Sequence, residues 1–164
     1  MGRTVARALL WFAVIWWGVW FGGQTFNALM VVPHFSANTP QSLVEWGEMR
    51  ADYLADFFLI FNPFWIAAAL VVSLALGWDA HGRGRSWVIG SLFASVVSAV
   101  MMAAWMAPAL SRLVNPHDPT VSLLEVQTSL HRWTIVNWAR LVIEFDGFVC
   151  ALLALASPSG HPDI

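Results

Sequence analysis

The sequence predicts an all-α fold: a four-transmembrane-helix bundle built as two antiparallel hairpins with longer outer loops. Three observations carry this. Of 164 residues 59% are hydrophobic and only 11% charged, against a charged share of about 25% in ordinary soluble domains. The apolar residues gather in four runs, 5–32, 57–76, 87–110 and 133–156, each matching the roughly 20 residues that cross about 30 Å of hydrocarbon. The mean hydropathy of +0.65 agrees. The whole chain, 1–164, reads as a single integral membrane domain.

The first run follows Arg3 and Arg7 and contains Trp11, Trp16, Trp17 and Trp20. It is much longer than the roughly 7–15 apolar residues of a signal peptide, and no small-x-small cleavage site follows it cleanly, so it reads as a retained helix. The second run is interrupted by Asn62-Pro63, and the third carries Pro108 near its end. The fourth contains Asn137, Arg140, Glu144 and Asp146. Arg3, Arg7, Arg83 and Arg85 mark the N-terminus and the Gly77–Ser86 turn as cytoplasmic. The expected location is therefore the cell inner (plasma) membrane, multi-pass, with both termini in the cytoplasm. Absence of lysine beside abundant Ala, Arg and Trp is compatible with a GC-rich bacterial genome.

The connections Pro33–Asp56 and Ser111–Arg132 then face outward. Each contains a helix-start signal, Asn38/Thr39 before Pro40 and Asp118 before Pro119. Ser42-x-x-Glu45 adds a capping-box pattern. The two halves look alike, as a duplicated hairpin would.

Several function classes drop out. The net charge of −2 and the absence of any basic tract give no sign of nucleic-acid binding. One cysteine, Cys150, allows neither an internal disulfide nor Cys-x-x-Cys chemistry. The expected partners are the lipid bilayer and a hydrophobic small molecule, with a homo-oligomer or a larger membrane complex as further options.

Candidate site residues come from polar groups inside apolar runs. Trp133, Asn137, Arg140 and Glu144 stand at i, i+4, i+7 and i+11, one stripe of a helix. An unpaired charge at mid-bilayer costs about 2.5–3.5 kcal/mol on insertion scales, so this stripe should turn inward and pair. Arg140 and Glu144 can pair with each other, serving as glue between helices. Alternatively Arg140, with Asn137 beside it, would stabilise an oxyanion or enolate. Gln24, Asn27 and His34, at i, i+3 and i+10, form a matching stripe on the first helix. Ser91, Ser95 and Ser98 read as small-residue packing in the third. Glu45, Glu48, Asp52 and Asp56 make an acidic stripe entering the second, with Asp56 closest to the membrane and in need of a cationic partner. Eleven tryptophans either pack the interior or line a pocket for a flat ligand.

On this reading the catalytic candidates are Asn137, Arg140, His34 and His131, the last two as general bases. Gln24, Asn27, Asp56, Trp133 and Glu144 are substrate-binding candidates. No cofactor is expected. A weaker alternative puts a metal, or a haem, outside the membrane on His34, Glu48, Asp52, His117 and His131, although no metal-ligand spacing motif joins them.

The Gly22-Gly23…Asn27…Val32-Pro33 ending of the first helix and the Arg132-Trp133-x-x-x-Asn137-x-x-Arg140 opening of the fourth resemble the anthrone oxygenase-like family of small four-helix membrane proteins. The resemblance covers nearly the whole chain and implies oxidation of anthrone-type aromatic polyketides to quinones, without metal or flavin. It maps Asn27, Pro33, Asn137 and Arg140, and leaves His34 unmatched. The expectation is thus a membrane oxygenase or redox enzyme for an anthrone- or quinone-like substrate. Its rivals are a non-catalytic subunit of a larger membrane complex and a protein with an outward-facing metal or haem site.

Overall fold

The computed structural model describes residues 2–39, 41–49, 57, 60–79, 81–109 and 122–158. These hold helices and turns and no strand. Helix α1 (Gly2–Phe26) runs through a π-helical segment, Asn27–Val31, into α2 (Val32–Ser36). It is followed by α3 (Gln41–Met49), α4 (Pro63–Gly77), a 3-10 turn at Gly82–Gly84 leading into α5 (Arg85–Met101), a second π segment at Met102–Met106, and α6 (Leu123–Ala156). Two continuous helices, Gly2–Ser36 and Gly82–Ala109, are long and apolar enough to cross a membrane.

The breaks follow from local chemistry. Pro33 has no N–H, and in an α-helix its ring would collide with the carbonyl of Leu29. The π segment widens the turn just before it, with the Val32 N–H reaching back to the Asn27 carbonyl. Met102–Met106 does the same ahead of Pro108, where the Ala107 N–H bonds the Met102 carbonyl. Both helices therefore continue through a proline. A π segment also inserts one residue, which turns everything beyond it by about 100° relative to a straight α-helix. The buried face of the first helix consequently runs Gln24, Asn27, Ala28, Val32, Phe35. His34, expected on the same stripe as Gln24 and Asn27, is exposed instead.

Asn62-Pro63 is a helix start rather than an interruption. Asn62 is extended (φ −110°, ψ 159°), its side-chain oxygen accepts the Phe64 N–H at 2.9 Å, and Pro63 takes the first helical position. Ser42 does not form the expected capping box: its buried hydroxyl donates to the Phe35 carbonyl at 2.6 Å, tying α3 to α2, while Glu45 is exposed. Asp118 and Pro119 lie outside the described residues. The start of α6 is capped by Ser122, whose hydroxyl accepts the Glu125 N–H at 3.2 Å.

The chain divides into two compact units. The first comprises Met1–Phe21, Phe61–Ala99 and Val142–Ile164. Here Ser73 donates to the Ala6 carbonyl at 2.8 Å, fastening α4 to α1. His81 Nε2 lies 3.1 Å from both the Ser73 hydroxyl and carbonyl, so its N–H secures the end of α4. The turn below is closed by Arg85, which donates to the Trp78 carbonyl at 2.8 Å and stacks over its indole. Trp17 is fully buried beside Gly147 of α6. The second unit comprises Gly22–Ile60 and Val100–Leu141. Its core is Val32, Phe35, Leu43, Trp46, Met106, Leu130 and Trp133, with the Phe35 ring 4.7 Å from Trp46 and edge-on to Trp133 at 6.3 Å.

Gly147 gives a sharp test of the first unit's packing. A Cβ there would stand 2.7 Å from Trp17 Cζ2 and 2.8 Å from Ala94 Cβ, whereas one at Gly22 meets nothing within 4 Å. Gly147→Ala should destabilise by about 1–3 kcal/mol through overpacking. Gly22→Ala should stabilise by about 0.5–1 kcal/mol through helix propensity. Thermal unfolding in detergent checks both, and equal midpoints would refute the packing described.

Candidate functional site

Helix α6 decides where polar chemistry is buried. Trp133, Asn137, Arg140 and Glu144 are all buried, with Arg140 1% and Glu144 0% exposed, whereas Ile135, Trp138, Val142 and Phe145 are exposed. The stripe therefore faces inward, as its spacing predicts. Asp146 is exposed, off the stripe.

In the second unit, Arg140 Nη2 donates to Gln24 Oε1 at 2.6 Å and to Asn137 Oδ1 at 2.9 Å. A guanidinium has only donors, so both amides must present their oxygens to it. Their NH2 groups then point elsewhere. Gln24 Nε2 and Asn137 Nδ2 are buried with no hydrogen-bond partner among the described residues, and the same holds for Trp133 Nε1 and for the acceptor Asn27 Oδ1. Two amide groups that accept from Arg140 therefore carry NH2 donors with no partner among the described residues. Natural interiors rarely leave such groups unsatisfied, and each costs about 1–3 kcal/mol unless something binds it. Chemically, a cation flanked by amide donors suits an anionic or strongly polarised oxygen.

In the first unit, Glu144 Oε1 accepts from Trp20 Nε1 at 2.8 Å and from Ser98 Oγ at 2.6 Å. One turn away, Trp17 Nε1 donates to Ser91 Oγ at 3.0 Å. Ser91 and Ser98 therefore do more than pack closely: they pair with tryptophans and a carboxylate. Sequence reading missed this; the only signal was that Trp17 and Trp20 share one face of α1 and Ser91 and Ser98 one face of α5. Ser95 bonds its own helix at the Leu92 carbonyl, 2.9 Å away.

The two histidine bases are not brought to Arg140. His34 is exposed beyond the π segment, and His131 is exposed on α6. His131 and Arg140 are nine residues apart, two and a half turns, so they occupy opposite faces of the helix. Asp56, Asp52 and His117 lie outside the described residues, as does the side chain of Glu48. Among the described residues no group of three or more His, Cys, Asp or Glu stands together to hold a metal ion. No family model matches the chain, and neither does any curated protein or solved structure.

The Glu144 contacts generate a stability test. Glu144→Ala would leave the Trp20 N–H and the Ser98 hydroxyl without their acceptor, at about 1–3 kcal/mol each. Glu144→Gln keeps a carbonyl oxygen that can accept both bonds, so it should lose less than half as much. Chemical or thermal unfolding of the two variants in the same detergent distinguishes them. Equal losses would show that the negative charge, not the acceptor oxygen, is what the unit requires.

Proposed function

We propose that the chain crosses the membrane four times and is a cofactor-independent oxygenase of the anthrone oxygenase-like kind. It acts on a hydrophobic anthrone- or quinone-like substrate held at Arg140. The crossings of α4 and α6 are supported by polarity turned outside in. On α6 the exposed positions include Val142 at 62% and Ile135 at 55%, while Arg140 and Glu144 are enclosed. On α4 the exposed residues are Phe64, Trp65, Val71, Val72 and Leu76. Water is a poor solvent for such surfaces and hydrocarbon a good one. With four crossings and the arginine-marked turn inside, both termini lie in the cytoplasm of a plasma membrane.

The observation that carries the activity is the pair of amides, Gln24 and Asn137, that bond a buried guanidinium while their own NH2 donors have no partner among the described residues. An anthrone-type substrate is a carbon acid whose conjugate base is an aromatic enolate. Arg140 would take the enolate oxygen, and the NH2 groups of Gln24 and Asn137 would complete its shell. Loss of a proton from the ring CH2 gives the enolate. Addition of O2 at that carbon and uptake of a proton give a hydroperoxide, and loss of water leaves a ketone. The ring CH2 and O2 thus become C=O and H2O. In this reading the protein's share is to hold and stabilise the anion; His34 and His131, being off the cluster, take no direct part.

Two measurements test the proposal. In a Cys150→Ser background, a cysteine at Asn38 should react with a membrane-impermeant maleimide from outside intact cells. One at Ser86 should react only after permeabilisation, and the reverse pattern would overturn the orientation. Purified protein should consume O2 with anthrone substrates, and Arg140→Ala should lower kcat by about 10²–10³, the usual effect of removing an oxyanion donor. Equal rates for wild type and Arg140→Ala would end the assigned role.

A further inference from the structure

The second unit also carries an open groove between α1/α2 and the first half of α6, with a volume of about 540 Å³. That is within the range of small-molecule sites. His131, Thr134 and Trp138, at i, i+3 and i+7, line it from α6 together with Leu130, and neither Asn137 nor Arg140 is among its lining residues. Its lining is graded along the helices. At one end stand Ala28, Leu29 and Trp138; at the other, Thr39, Gln127 and His131. From 127 to 138 the groove is about 16 Å long at the α-helical rise.

Two further facts narrow the occupant. No Arg, Lys, Asp or Glu is among the groove's described lining residues, so nothing there matches a phosphate or a carboxylate, which recruit guanidinium or ammonium groups. The hydroxyl hydrogens of Ser36 and Thr134 are already given to the Val32 and Leu130 carbonyls, at 2.6 and 2.9 Å. The donors left at the polar end are the Gln127 amide, the His131 ring and the Thr39 hydroxyl, all suited to a neutral carbonyl oxygen.

We infer that this groove binds a single-chain amphiphile with an uncharged, carbonyl-bearing head, such as a monoacylglycerol. Its head lies at Thr39, Gln127 and His131 and its chain along Leu29 and Trp138. The inference rests on the membrane reading for the supply of such a ligand and not on the chemistry assigned to Arg140. The groove is a second site, because none of Gln24, Asn137 and Arg140 is among its lining residues.

The test uses the full chain in phosphatidylcholine nanodiscs with a diazirine-bearing monoacylglycerol, followed by irradiation and peptide mapping. Label should concentrate in 28–39 and 127–138. Thr134→Trp, which plugs the middle of the groove, should reduce it at least tenfold. Because that variant also adds bulk between the helices, the surface change Gln127→Ala combined with His131→Ala supplies an independent reading. It should weaken labelling at least threefold while leaving the unfolding midpoint in place. The same chain carrying a phosphoglycerol head should label at least tenfold less than the neutral probe. The inference is overturned by equal labelling from the two heads, by labelling unaffected in Thr134→Trp, or by label spread evenly over exposed positions such as Val71 and Phe93. Failure of the Arg140 activity with groove labelling intact would leave the groove standing alone.

Discussion

A guanidinium and a carboxylate are both buried on α6, and the rest of the architecture has to supply their hydrogen bonds. Removing either ion from water costs several kcal/mol even after relaxation, and partners must offset that cost. Among the described residues, Glu144 is met by Trp20 and Ser98 in the first unit and Arg140 by Gln24 and Asn137 in the second. Each partner is on a helix otherwise apolar enough to need no polar residue, or one turn along α6 itself. The polar positions of α1 and α5 are therefore dictated by α6. A register error of one residue on any of these helices would strand a charge, so the polar contacts specify the packing more sharply than the surrounding leucines and valines do.

The π segments are the second organising device. Each ends two residues before a proline, and each lets a helix pass through a residue that would otherwise stop or kink it. The first also changes the helix's phase. Before it, Gln24 faces Arg140; after it, Val32 and Phe35 face the aromatic core with Trp46 and Trp133. Without the inserted residue the face that carries Gln24 and Asn27 would continue to His34. The insertion brings Val32 onto the buried face and sends His34 outward. Recurrence of the same arrangement before Pro108 strengthens the likeness between the two halves, although few residues match.

This explains what could be read in advance. The inward turn of Trp133, Asn137, Arg140 and Glu144 was legible because α6 is one unbroken helix, so 3.6-residue periodicity holds from end to end. Gln24 meeting the α6 stripe was legible for the same reason, since it precedes the π segment. His34 was misplaced because periodicity was extended across an insertion that only Pro33 hints at. The start of α4 was signalled by Asn62-Pro63 but read as a break, since a cap and an interruption look the same inside an apolar run. The pairing of Glu144 with Trp20 and Ser98 depends on which helices adjoin, information that no single helix contains.

The composition of the Arg140 cluster constrains its chemistry further. Gln24 and Asn137 are neutral and neither is a useful base, and among the described residues His34 and His131 sit elsewhere. The described part of the cluster, a cation with amide donors, is poorly made for tearing protons from weak acids. It is well made for receiving an anion that forms readily and for keeping it in a dry environment where each donor counts for more than in water. Under the proposed activity this asymmetry narrows the substrate class. The oxygen would be part of a conjugated system that ionises with little help, on a body apolar elsewhere. Phenolic and anthrone-like rings meet both conditions, whereas aliphatic ketones fail the first and sugars the second.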